Sequence, residues 1–282
     1  MRYGFPVTDC IHEHSLNHLS ATEARLSAAL AQPKRIALGC IAALTAFGWL
    51  ALGLMSSSSP LNWQALCQPS AWGGVSELAL TAPMWMAMTL AMMLPTAGPM
   101  ILTYAEIADT AARKREPVVS PMILTAGYVA VWLGFALAAA CLQWVLARAG
   151  LLDGGSVGRL VGGTIFIGAG LYQFSALKQA CLTLCQRPFP FFFANWTTAR
   201  SGVFQLGLRQ GVLCLGCCWA MMALMFALGA MNVVWMAALG VLMTIEKLST
   251  TARFSKAVGF VFVAVGFGMI VSSVVVVNSE WT

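Results

Sequence analysis

Ala257-Val-Gly-Phe-Val-Phe-Val-Ala-Val-Gly-Phe-Gly-Met-Ile-Val-Ser-Ser-Val-Val-Val-Val277 carries no charged side chain. A helix that crosses a bilayer needs about 20 mainly apolar residues, and this run meets that length. Comparable segments occur at 35–55, 79–104, 120–147, 158–178, 206–230 and 232–246, the last of them short. The expected fold is therefore all-α, a polytopic transmembrane helical bundle of about seven spans. Residues 34–278 form its transmembrane domain, between a polar N-terminal tail (1–33) and a short C-terminal tail (279–282).

Composition agrees. The chain is 59% hydrophobic and only 9% charged, with a mean hydropathy of +0.79. A soluble domain would carry roughly a quarter charged residues. The net charge of +6 does not mark a nucleic-acid binder, because the basic residues sit between the apolar runs. Their distribution instead orients the chain, since Lys and Arg collect on the cytoplasmic side of a membrane. A cytoplasmic N-terminus puts Arg2, Arg25, Lys34 and Arg35 inside. It also puts Arg113, Lys114, Arg115, Lys178, Arg187, Arg200, Arg209, Lys247, Arg253 and Lys256 there, leaving Arg148 and Arg159 outside. Residues 1–33 contain no apolar core of about 7–15 residues leading to a small-residue cleavage site, so the first apolar segment is expected to remain as an anchor.

The tail gathers the three histidines as Cys10-Ile-His12-Glu-His14 with His18. Imidazoles at i and i+4 share a helix face, which suits either a metal or a solvated amphipathic arm. Cys67, between Trp63 and Trp72, lies in the 56–78 loop and has no evident partner.

Two cysteine clusters carry the chemistry: Cys181 with Cys185, and Cys214 with Cys217 and Cys218. Methionines continue the second cluster through Met221, Met222 and Met225. Positions 214, 218, 221/222 and 225 make one helical stripe. A second methionine ladder, Met84, Met88 and Met92 with Met93, precedes Pro95. That proline cannot donate to the carbonyl of Ala91, so a kink and a free acceptor are expected there. Thiolate and thioether together are the soft donor set that selects Cu(I). Zn is the competitor, since four thiolates suit it. The abundant methionine, and the lack of histidine near the clusters, favour copper. Methionine is also ordinary filler between crowded helices, and that reading stands beside a thioether relay.

In the expected topology both clusters and Met92-Met93 reach the cytoplasmic half of the bilayer, where cysteines stay reduced. Lys178, Arg187 and Arg209 are the cations expected to favour thiolate there. Glu246, beside Lys247, reads most simply as an interfacial ion pair. No histidine-based catalytic constellation, phosphate loop or serine elbow is present in the spans, so an enzyme is not expected.

Several stretches resemble one bacterial family. They are Trp85-Met86-Ala-Met88 with Ala91-Met92-Met93-Leu94-Pro95 and Pro99; the run Tyr172-Gln173 through Lys178, Cys181, Cys185, Arg187 and Pro188; Gly207-Leu-Arg209-Gln-Gly211-Val-Leu-Cys214-Leu-Gly216-Cys217-Cys218-Trp219; and Met231-Asn232-Val-Val-Trp235-Met236 running to Glu246-Lys247. Together they resemble a family of predicted metal-binding integral membrane proteins, sometimes labelled copper chaperones, over about residues 35–275. The resemblance implies a multi-pass protein of the bacterial inner (cytoplasmic) membrane that handles copper. Its expected partners are the lipid bilayer and a membrane cuproenzyme or copper carrier, with no nucleic acid. The expected metal ligands are Cys181, Cys185, Cys214, Cys217 and Cys218, with Met92, Met93, Met221, Met222 and Met225 as weaker thioether sites. A thiol-redox protein and a structural subunit of a larger membrane complex are the alternatives.

Overall fold

The computed structural model describes residues 33–57, 75–151, 156–228, 233–249 and 252–279. The histidine-bearing tail, Cys67 and the Met231-Asn232 motif lie outside these residues. Among the described residues the chain is helical, with no strand: α1 (Pro33–Ser57), α2 (Val75–Arg113), α3 (Pro121–Arg148), α4 (Ser156–Tyr172), α5 (Ala176–Gln186), α6 (Pro188–Ala194), α7 (Arg200–Leu228), α8 (Val233–Leu248) and α9 (Ala252–Ser279).

Each expected apolar segment overlaps one of these helices, with 158–178 divided between α4 and α5, but they do not all have spanning length. α1, α2, α3, α7 and α9 are long and apolar enough to cross a membrane. α4 and α5 meet at a 65° bend and make a sixth span only if taken together. α8, at 16 residues, extends about 24 Å, short of the roughly 30 Å hydrocarbon layer. Length and composition thus support five or six spans. Large apolar side chains such as Phe47, Leu50, Phe260 and Phe267 face outward, as lipid-exposed surfaces require.

Local chemistry sets the helix boundaries. Ser120 accepts from Met122 N, with Pro121 in the first turn of α3. Ser175 accepts from Lys178 N at the start of α5. Each satisfies a backbone donor that the helix leaves open. α2 continues helical through Pro83, Pro95 and Pro99. Side-chain donors in that region converge on the carbonyl of Met93, which takes Thr96 Oγ1 at 2.9 Å and Tyr128 Oη at 3.1 Å.

Glycines let the helices approach closely. A Cβ on Gly207 of α7 would collide with the carbonyl of Leu124 on α3, and one on Gly127 of α3 with the carbonyl of Phe204. Gly163 of α4 and Gly266 of α9 face each other in the same way. Small residues at such crossings give the tight contact on which helix association in lipid relies. The shared core contains both methionine ladders and the second cysteine cluster. The two Trp-Met motifs sit differently in it: Trp85 is fully buried against Phe226, whereas Trp219 is 44% exposed beside Tyr172.

Two lysines counted above as loop cations turn inward. Lys178 Nζ pairs with Glu246 Oε2 at 2.9 Å, and both side chains are at most 4% exposed. Glu246 therefore bridges α8 to α5 rather than pairing with its neighbour Lys247. Breaking a buried pair leaves one uncompensated charge. Lys178→Met should accordingly destabilise the protein by about 3–5 kcal/mol. Lys178→Met/Glu246→Leu should regain most of that loss in denaturant unfolding in detergent. Equal losses in the single and double variants would show that the pair is not the cause.

Candidate metal centre

The bend after α4 lets α5 lie against α7. α5 carries Cys181 and Cys185 one turn apart, and α7 carries Cys214, Cys217 and Cys218. The Sγ atoms of Cys185, Cys214 and Cys217 all lie within 4.8 Å of one another. Cys214 and Cys217 are buried and Cys185 is partly so. Cys217 Sγ donates to the carbonyl of Cys214 at 3.1 Å and lies 3.4 Å from Cys218 Sγ. Cys218, also buried, thus adjoins the three-sulfur group without being one of it. Cys181 sits against Gly216, where a Cβ would come within 2.8 Å of its Sγ. Tyr172 Oη donates to the carbonyl of the same glycine at 2.5 Å. Of the five expected thiols, the fold brings three together and sets two beside them.

Cys214 is the hub. Tyr128 Oη of α3 lies 3.0 Å from its sulfur, and Lys247 Nζ of α8 donates to it at 2.9 Å. Lys247 also donates to Thr96 Oγ1 of α2 at 2.8 Å. The cations expected from sequence do not take this position. Lys178 is engaged by Glu246, and Arg209 donates to Asn195 Oδ1 at 3.4 Å. Tyr128, Thr96 and Lys247 were not singled out by sequence reasoning as part of the site. Lys247 carried a signal, an ionisable residue at the end of an apolar span, which in a membrane protein is a functional candidate by default. Tyr128 carried none, because nothing in an apolar helix shows which side chain meets a sulfur from a distant one.

A cavity of about 300 Å³ opens beside the group, with Cys185, Cys214, Tyr128, Lys247, Gln210 and Met100 among its lining. Of the methionines, Met93, Met221, Met222 and Met225 are core residues no more than 1% exposed. Met92, 2% exposed, lines a different cavity of about 270 Å³, near Trp49 and Gly240, which shares Pro95 and Thr244 with the first.

The donor set is soft. Among the described residues the three-sulfur group contains thiols alone, a set matched to a polarizable d¹⁰ cation and accepted also by zinc. Apolar helices of membrane-crossing length around a buried thiol cluster define a membrane-type helical bundle whose three grouped sulfurs could hold a metal ion. The family model described as "PpoB2: Copper chaperone" matches residues 82–269, and the chain belongs to that family. The matched region contains all five thiols and Lys247. Neither a curated protein nor a solved structure matches the chain.

The three-sulfur geometry can be checked without metal. In a variant keeping only Cys185 and Cys214, dibromobimane should link both thiols and become fluorescent. A variant keeping only Cys141 and Cys214 should stay dark, because Cys141 lies about 20 Å along α3 from Tyr128. Fluorescence from the second variant, or none from the first, would contradict the arrangement.

Proposed function

We propose that this protein is a multi-pass protein of the bacterial inner membrane that takes Cu(I) as cargo at Cys185, Cys214 and Cys217. Cys181 and Cys218 serve as flanking acceptor thiols. It passes the ion to a membrane cuproenzyme or a copper carrier, and carries out no catalysis of its own. The observation that carries this reading is the convergence of three sulfurs from two helices within 4.8 Å, in a chain of the copper chaperone family. Soft thiols hold the soft ion strongly, and the adjacent sulfurs and cavity offer it a way out by ligand exchange. A transfer protein needs both, because an ion must leave its site as readily as it enters.

In this reading the bent α4–α5 pair and the short α8 both count as spans, for seven in all, with the N-terminus cytoplasmic and the C-terminus outside. The asymmetric placement of Lys and Arg supports it. The methionines Met92, Met93, Met221, Met222 and Met225 form a thioether relay flanking the thiols. Their concentration in the two helices beside the centre supports that role. Zinc is a competing ion, and the methionine-rich surroundings favour copper.

Protein purified under reducing conditions should carry copper by elemental analysis, and Cys214→Ser should remove most of it, since a hydroxyl is a hard donor. Full copper content in folded Cys214→Ser would mean the cluster is packing. For topology, a periplasm-active reporter should be active after Thr282 and silent after Lys114. Activity at Lys114 would reverse the orientation.

A further inference from the structure

Lys247 places a positive charge directly on the thiol centre. Its ammonium donates to Cys214 Sγ at 2.9 Å and to Thr96 Oγ1 at 2.8 Å. Thr96 Oγ1 spends its own proton on the carbonyl of Met93, so it presents only lone pairs to the lysine. The ammonium is thereby fixed between α2 and α7 rather than free to swing outward. The nearest acid in sequence does not neutralise it: Glu246 turns to Lys178 on α5 at 2.9 Å. Among the described residues Lys247 has no carboxylate partner.

Any metal ion bound through Cys214 therefore lies next to a fixed unit positive charge. Repulsion between the two scales with the charge of the ion. Replacing a monovalent ion by a divalent one, on the same set of thiolates, adds one more unit of repulsion. This holds however many thiolates are engaged. In a partly buried site salt screens it little. At an effective dielectric constant of about 20, one extra unit charge about 5 Å from an ammonium shifts an equilibrium by roughly two decades.

We infer that Lys247 is a specificity-determining residue of the centre, a fixed countercharge that biases the thiols toward a monovalent soft ion and against divalent ions. The sulfurs alone do not make this distinction, because thiolates also suit zinc and cadmium. The inference rests on the proposed metal-binding role of Cys214, and it assigns to Lys247 the discrimination between charges.

The experiment measures Ag(I) and Cd(II) affinities of full-length protein in detergent, by chelator competition under reducing conditions. The set comprises wild type, Lys247→Met, Lys247→Gln, Lys247→Arg and Cys214→Ser. Removing the charge should move the Cd(II)-to-Ag(I) affinity ratio toward cadmium by at least about tenfold. Lys247→Arg, which keeps the charge, should stay near the wild-type ratio. Lys247→Gln retains a donor toward Thr96 and Cys214, and so guards against a loss of fold in Lys247→Met. An unmoved ratio in folded Lys247→Gln, or the same movement in Lys247→Arg, overturns the inference while Cys214-dependent silver binding leaves the copper reading intact. Silver binding unaffected by Cys214→Ser overturns both.

Discussion

An ammonium group inside an apolar helical bundle needs acceptors, and the contact between Lys247 Nζ and Cys214 Sγ is where this bundle supplies one. Four helices are arranged around it. Thr96 of α2 gives the second acceptor, Tyr128 of α3 also meets the sulfur, and α7 carries the sulfur itself. The preceding residue, Glu246, meets Lys178 on α5. Consecutive residues at the end of α8 thus tie it to helices on two sides. Gln186, next to Cys185, adds bonds to the carbonyls of Glu246 and Ser249, which satisfies acceptors that the end of α8 leaves open. Each tie uses a polar group that would be costly to leave unpaired away from water.

Close helix approach makes the sulfur geometry attainable. α3 and α7 cross at Gly127 and Gly207 with almost no side-chain volume between them, which brings Tyr128 within reach of Cys214. The missing side chain at Gly216 makes the seat for Cys181. Small residues thus do more than permit packing, because they set how far each thiol stands from its neighbours. The methionines fill the remaining volume. Their flexible thioethers adapt to an irregular interior, and two cavities remain along α8, one against the thiols and the other against Met92, with Thr244 lining both.

Length, apolarity and the absence of charge made the helices legible in the sequence, because a bilayer-length apolar run has few other solutions. The five thiols were legible too, since helical spacing groups Cys214, Cys217 and Cys218 on one part of a helix whatever lies around it. Soft-donor chemistry followed from residue type alone. The partners of those thiols were not legible. Lys247 stands beside Glu246 and reads as half of a local ion pair, yet it bonds a sulfur 33 positions away while Glu246 bonds a lysine 68 positions away. Likewise Cys185 joins Cys214 and Cys217 while Cys181, one turn earlier, does not. That difference depends on how the 65° bend between α4 and α5 aims α5 at α7. Local periodicity fixes which residues share a helix face. Which face meets which neighbour, and at what depth, depends on crossing angles and backbone separations that arise only when the helices pack.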